Sequence, residues 1–189
     1  MAIDALLIST AAVAVAEIGD KTQLLSLILA ARYRRPWPII AGILIATILN
    51  HSLAGAVGAA VAAWLSPDQL KWILALSFFA VAIWTLIPDK LDDADGATGT
   101  GTGRGVLIAT VIAFFLAEMG DKTQVATVLL AAQYSPLWQV ITGSTIGMLL
   151  ANVPVVLLGS RFAHRLPLRA ARIAAAVLFL ILAIWIVLR

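Results

Sequence analysis

Six apolar runs, near residues 3–31, 37–64, 69–87, 105–133, 137–160 and 168–188, take up most of this 189-residue chain. Each is long enough for a helix to cross a hydrocarbon core, which takes about 20 residues. Only 12% of the residues are charged and 62% are hydrophobic, against roughly 25% charged in a soluble domain. A soluble core of this size could not bury so much apolar surface, so lipid has to act as part of the solvent. These features predict an all-α integral membrane protein with six transmembrane helices. Pro36, Pro38, Pro67, Pro88, Pro136 and Pro167 fall at run edges, where helices start and stop. Pro154 lies inside the fifth run and predicts a kink. The first run is too long for a signal-peptide core, is interrupted by charges and lacks a basic segment before it, so it reads as a retained helix.

One stretch has the composition of a flexible linker. Residues 89–104, DKLDDADGATGTGTGR, are rich in Gly, Thr and Asp and have no apolar periodicity. They divide the chain into 1–88 and 105–189. A shift of 101 residues, without gaps, aligns Ala16-Glu17-Ile18-Gly19-Asp20-Lys21-Thr22-Gln23 with Ala117-Glu118-Met119-Gly120-Asp121-Lys122-Thr123-Gln124. The same shift matches Tyr33 with Tyr134, Trp37 with Trp138, Gly42 with Gly143, Gly58 with Gly159 and Trp84 with Trp185. The halves are therefore expected to be a duplication, each a repeat of three helices.

Lys and Arg set the expected topology. Arg32, Arg34, Arg35, Lys90, Arg104, Arg161, Arg165, Arg169 and Arg172 lie in or beside the loops after runs one, three and five, whereas the opposite side has only Lys71 and Arg189. Both termini are thus expected outside, with the basic loops in the cytoplasm. Three helices per repeat is an odd number, so the second repeat enters the membrane inverted, as in many secondary transporters. The net charge of +3 comes from scattered arginines, with no folded region outside the runs, which argues against nucleic-acid binding. The chain has no cysteine, which excludes disulfides and thiolate metal sites.

Glu17, Asp20, Glu118 and Asp121 are the acidic residues that fall inside apolar runs, and Glu17 and Glu118 are the only glutamates. An ionisable group at mid-helix costs about 2.5–3.5 kcal/mol on insertion scales, so function is the default explanation. Spacing of i, i+3 and i+4 would put Glu17, Asp20 and Lys21 on one face of a continuous helix, with Gln23 at its edge. Gly19 and Gly120 weaken the helix there. Meeting in mid-membrane, the two motifs would supply four carboxylates, the amides of Gln23 and Gln124 and the hydroxyls of Thr22 and Thr123. Such an oxygen set suits hard divalent cations, Ca²⁺ or Mn²⁺. Like charges resist joint ionisation, so protons would compete with the cation for the same oxygens. Lys21 and Lys122 are expected to balance charge or reach one mouth of the pathway, not to bind cations. Local Glu17–Lys21 and Glu118–Lys122 pairing would explain the lysines but leave both aspartates in excess. Asn50 and Asn152 are supporting candidates that fit helix–helix hydrogen bonding equally well. His51 reads as a packing or hydrogen-bonding residue, His164 as a loop residue, and Tyr33, Tyr134 and the tryptophans as interfacial anchors. Gly42, Gly143 and Gly147 mark close helix approaches.

The duplicated Glu-x-Gly-Asp-Lys-Thr motif resembles the signature of the Gdt-type cation/proton exchangers, the family of transmembrane protein 165, also called uncharacterised protein family 0016. The resemblance covers nearly the whole chain. It implies exchange of Mn²⁺ or Ca²⁺ for H⁺ as transported ions, with no prosthetic group. Glu17, Asp20, Glu118 and Asp121 match the family's acidic positions, and Thr22 and Thr123 its hydroxyl positions. In a bacterium the expected place is the inner membrane and the expected direction metal export. The alternative is an exporter of small organic cations such as basic amino acids, given the similar fold of the lysine-exporter superfamily. That pocket should have apolar walls, whereas the motifs supply small oxygen donors. An intramembrane enzyme is not expected, because no nucleophile or second substrate signature accompanies the acidic residues.

Overall fold

The computed structural model describes residues 2–87, 102–158 and 168–188, and its described regular structure is entirely helical. The helices are α1 (Ala2–Glu17), α2 (Lys21–Tyr33), α3 (Pro36–Trp64), α4 (Pro67–Thr85), α5 (Gly103–Glu118), α6 (Lys122–Gln133), α7 (Leu137–Leu158) and α8 (Leu168–Leu188). Most of the 89–104 linker, and Pro88, Gly159, Arg161, His164, Arg165 and Pro167, lie outside the described residues.

Runs one and four are not single helices, as the apolar pattern had suggested. Each breaks at its motif, into α1 and α2 and into α5 and α6, and the second pair bends by 72°. Three helices, Pro36–Trp64, Leu137–Leu158 and Arg169–Leu188, are long and apolar enough to cross a membrane, and the bent α5–α6 pair would make a fourth span. α4 has 19 residues, but Asp68, Gln69 and Lys71 occupy its start, which shortens its apolar stretch.

Helix ends follow local chemistry. Pro36 opens α3, where a missing N–H costs nothing. Ser66 and Gln69 form a capping box on α4, with Gln69 N–H donating to Ser66 Oγ at 3.4 Å and Ser66 N–H to Gln69 Oε1 at 3.1 Å. Thr102 Oγ1 accepts the Gly105 N–H at 3.3 Å at the start of α5. Pro154 falls within α7, which continues to Leu158.

The helices pack chiefly on partners from the other half. α1 lies along α7, α3 along α5 and α6, and α4 along α8. Under the 101-residue offset, the first of these contacts is the counterpart of α3 on α5, and α4 on α8 is its own counterpart. Phe78 and Phe179, which the offset makes equivalent, stack at 6.2 Å between ring centroids. Small residues allow the close approaches: a Cβ on Gly42 would meet Thr110 Cβ at 2.6 Å, and one on Gly147 would meet the Thr10 carbonyl at 2.6 Å.

Polarity is arranged inside out relative to a soluble protein. Leu53, Leu76, Leu150 and Ile181 are each more than half exposed, while Glu17, Asp20, Asn50, His51, Glu118, Asp121 and Lys122 are buried. Such an exterior matches lipid, and this is an integral membrane protein. Trp37, Trp64 and Trp138 are exposed at helix ends, as anchors should be. Tyr33 departs from that expectation: it is buried in a core with Ile39, Ile43 and Phe114. Tyr134 is half-buried and stacks on Trp185 at 6.2 Å.

Replacing Gly147 by Ala should cost about 1–3 kcal/mol of overpacking strain and so lower the apparent melting temperature in detergent. Leu150→Ala on the same helix, facing outward, should shift it much less. Equal effects would contradict the close approach.

Candidate cation site

Each motif begins where a helix ends. α1 stops at Glu17 and α5 at Glu118, and new helices start at Lys21 and Lys122. Between them lies a tight turn. The Asp20 N–H donates to the Glu17 carbonyl at 3.0 Å, and the Asp121 N–H to the Glu118 carbonyl at 3.1 Å. Gly19 (φ 82°) and Gly120 (φ 75°) occupy the third turn position. With Met119 at φ −65° and ψ 120°, the second turn has type II angles, which call for a positive φ at that position. Glycine adopts it without a Cβ clash. Glu-x-Gly-Asp is therefore a turn, and the expectation of one continuous helical face through Glu17, Asp20 and Lys21 is corrected. Asp20 and Asp121 instead stand at the N-caps of α2 and α6 without capping those helices by side-chain hydrogen bonds. The positive helix ends favour their carboxylates.

Gln23 and Gln124 brace the two turns in the same way. Gln23 Oε1 accepts the Gly19 N–H at 2.9 Å, and Gln124 Oε1 accepts the Gly120 N–H at 2.7 Å. Their amides then donate across the molecule, Gln23 Nε2 to the Ala151 carbonyl at 3.0 Å and Gln124 Nε2 to Asn50 Oδ1 at 3.1 Å. Asn50 Nδ2 donates in turn to the Phe115 carbonyl at 3.0 Å. Asn50 thus serves the turn more than the carboxylates.

The ion pairs also join the two halves. Lys122 Nζ lies 2.7 Å from Asp20 Oδ1 with both side chains buried, and Lys21 Nζ lies 3.3 Å from Asp121 Oδ1 with the Lys21 side chain 25% exposed. Sequence spacing allowed each lysine to pair with the glutamate of its own motif, beside the expected charge-balancing role. The turn redirects them, because it ends the helix on which an i, i+4 pair depends.

Three of the four motif carboxylates converge. Glu17, Glu118 and Asp121, all buried, each offer an oxygen within 4.8 Å of the others. Asp20 is held towards Lys122 and stands outside this trio. Thr22 donates to Glu17 Oε2 and lies 3.4 Å from Asp20 Oδ2, and Thr123 donates to Asp121 Oδ2 at 3.1 Å. Asn152 Nδ2 reaches Glu17 Oε2 at 3.4 Å, and Ser26 Oγ donates to Asn152 Oδ1 at 2.7 Å. Among the described residues, Glu17 Oε1 and both oxygens of Glu118 lack a hydrogen-bond donor. Buried oxygens without donors are costly. A hard divalent cation, at about 2.0–2.6 Å from each oxygen, fits a set of this spread and chemistry.

Two residues at this cluster were missed or underrated by sequence reasoning. His51 Nε2 lies 3.5 Å from Glu118 Oε2, and both residues are wholly buried. The 101-residue offset pairs His51 with Asn152, and that pairing was the available signal. Ser26, which holds Asn152, carried none beyond lying one turn past Thr22.

The sequence profile described as divalent cation/proton antiporter GDT1 matches residues 5–93 and 106–189. The chain belongs to that family. It is 57% identical over 180 residues to a Vibrio cholerae protein named "Putative manganese exporter", covering 95% of this chain and 88% of that one. A GDT1-like protein of Synechocystis is 27% identical over 190 residues, covering 91% of each chain. The yeast (Saccharomyces cerevisiae) divalent cation/proton antiporter GDT1 is 23% identical over 230 residues, covering 94% of this chain and 81% of that one. No solved structure matches the chain. A divalent cation/proton antiporter family is a transporter family, which favours cation exchange over the organic-cation alternative.

Two outcomes test the geometry of the GDT1-family motif. Among the described residues, no atom beyond Gly120 and its chain neighbours lies within 4 Å of a Cβ built there, so Gly120→Ala should cost only the left-handed strain, about 1–2 kcal/mol. The fold should survive while Mn²⁺-dependent thermal stabilisation in detergent weakens; unchanged stabilisation would show that the turn is not needed. Removing one partner of a buried pair costs about 3–5 kcal/mol; Lys122 and Asp20 are both buried, whereas the Lys21 side chain is 25% exposed and its loss should cost less. Asp20→Asn should therefore lower the apparent melting temperature more than Lys21→Gln, and the reverse order would contradict the assigned burial.

Proposed function

We propose that this protein is a secondary transporter exchanging a divalent cation, Mn²⁺ or Ca²⁺, for protons, and that residues 1–88 and 105–189 are inverted three-helix repeats joined by the 89–104 linker. The observation that carries this reading is the meeting of the chain's only two glutamates, one from each half, with Asp121 in a buried cluster. A structural ion-pair network would not leave three of those carboxylate oxygens without donors. Glu17, Glu118 and Asp121 are assigned as cation ligands, and Asp20 as a fourth acidic group of the site. Thr22, Thr123 and Asn152 orient the carboxylates, while Gln23, Gln124 and Asn50 hold the turns. Lys21 and Lys122 offset half of the formal negative charge, and one divalent cation offsets the rest. Protons that take the same oxygens displace the cation, which couples the two fluxes.

Several contacts support the repeat reading. α1 of the first half lies on α7 of the second, α5 of the second half lies on α3 of the first, and Phe78 stacks on its offset partner Phe179. Broken helices at the ion site are a recurring feature of transporters built this way, in which irregular backbone lines the cavity. Counting each broken pair as one span and adding α4 gives six crossings. The basic loops then face the cytoplasm and both termini face outward. In a bacterium the site lies in the inner membrane and the direction is metal export, which is the role named for the Vibrio cholerae relative.

Reconstituted vesicles with an imposed pH gradient provide the test. The wild-type protein should move Mn²⁺ against the proton flux, and Glu17→Gln and Glu118→Gln should each cut the rate at least about 100-fold. Wild-type flux in both variants would sink the assignment.

A further inference from the structure

The two halves differ at a position that faces the cation site. The long helix that follows the motif in each half presents a polar side chain to the glutamate of the other half: Asn152 on α7 reaches Glu17, and His51 on α3 reaches Glu118. Asn152 is fully engaged. Its amide donates to the Met148 carbonyl at 3.1 Å, and its oxygen accepts from Ser26 at 2.7 Å. His51 is the opposite case. It is 0% exposed, yet neither ring nitrogen has a hydrogen-bond partner among the described residues. A buried imidazole does not normally leave both nitrogens unused.

The distance to Glu118 narrows what His51 awaits. At 3.5 Å, Nε2 and Glu118 Oε2 are too far apart for a good hydrogen bond. Two donors on one cation, each at about 2.0–2.2 Å, stand about 3–4 Å apart at angles between square and tetrahedral or wider. The separation is one that two ligands of a shared ion also show, with His51 reaching Glu118 from outside the 4.8 Å trio of Glu17, Glu118 and Asp121. That Glu118 oxygen also has no other donor among the described residues.

Resting on the cation-exchange reading of this site, we propose that His51 supplies a nitrogen ligand beside the carboxylates, and that it biases the carrier towards Mn²⁺ and similar transition-metal ions over Ca²⁺. Ca²⁺ and Mg²⁺ take oxygen ligands, and imidazole adds little for them. Carboxylate suits Mn²⁺ as it suits Ca²⁺, and Mn²⁺ is the weakest imidazole binder of the first-row divalent ions. A nitrogen in place of one oxygen still penalises Ca²⁺ more than it penalises Mn²⁺. The absence of thiolates keeps the site from becoming one for soft metals. The duplicated motif supplies the oxygens twice, and His51 supplies the discrimination once.

Purified protein, with its affinity tag removed, is loaded with Mn²⁺ and its pulsed electron paramagnetic resonance recorded for ¹⁴N coupling. The wild type should show an imidazole nitrogen, and His51→Asn, which copies the residue at the equivalent position, should lose it. In vesicle flux, His51→Asn should raise the KM for Mn²⁺ at least about tenfold more than the KM for Ca²⁺. Bound Mn²⁺ without nitrogen coupling in the wild type would overturn the inference and leave the site reading intact. Equal KM shifts for both ions would also overturn it, reducing His51 to a packing role. Failure of the wild type to bind or move either ion would overturn both readings. The wild-type spectrum needs no variant, so a misfolded His51→Asn does not remove the test.

Discussion

Charged groups inside an apolar bundle need partners, and here those partners come from the other half of the chain. Lys122 against Asp20, buried at 2.7 Å, is the clearest case. Neither group could stay inside an apolar bundle alone, because the cost of an uncompensated buried charge runs to several kcal/mol. The pair therefore ties the turn after α1 to the start of α6. Lys21 and Asp121 tie the same two regions in the reverse sense. These links require the two halves to interleave, and interleaving requires the glycines on α3 and α7 that let α5 and α1 approach. Packing and charge pairing are thus one constraint seen at two scales.

The turns translate that constraint into chemistry. A continuous helix would carry Glu17 and Asp20 on one face with their backbone groups locked in the helical ladder. The type II turn instead ends one helix at a glutamate and begins the next after an aspartate. Each acidic residue then has its own direction, and Asp121 joins the two glutamates while Asp20 turns to Lys122. Gln23 and Gln124 keep the arrangement from collapsing, since each bonds its own turn and reaches across to the opposite long helix. A shift of α7 would therefore be felt at the first turn and a shift of α3 at the second.

Much of this was legible in the residues. Glu17 and Glu118 stand out because they are ionisable in otherwise apolar runs, and the 101-residue offset shows that the two motifs are equivalent. The break within each run was harder to see, because a single Gly inside a long apolar stretch is often tolerated in a helix. Its place as third residue of a four-residue Glu-to-Asp segment carried the information, since only a turn needs glycine there. The lysine partners could not be read from spacing: i, i+4 rules hold only while the helix continues. His51 was underrated for a related reason. A lone histidine among Ala, Leu and Asn looks like packing until the fold brings Glu118 beside it.

The two motifs are nearly identical in sequence, yet their surroundings differ. Lys122 is buried while the Lys21 side chain is a quarter exposed, and Asp121 sits with the glutamates while Asp20 does not. Identical residues in unequal environments cannot be explained by local sequence, so the difference belongs to the conformation of the whole bundle. A bundle with strict two-fold symmetry would expose both motifs equally, and its two faces would open or close together. A carrier must avoid that, because a path open to both sides at once would leak the gradient that drives it. On the exchange proposed above, the unequal lysines are what one of two exchangeable states should look like, with Lys122 buried and the Lys21 side chain a quarter exposed. On that reading the two motifs are equivalent half-sites, and the asymmetry between them distinguishes one state from the other.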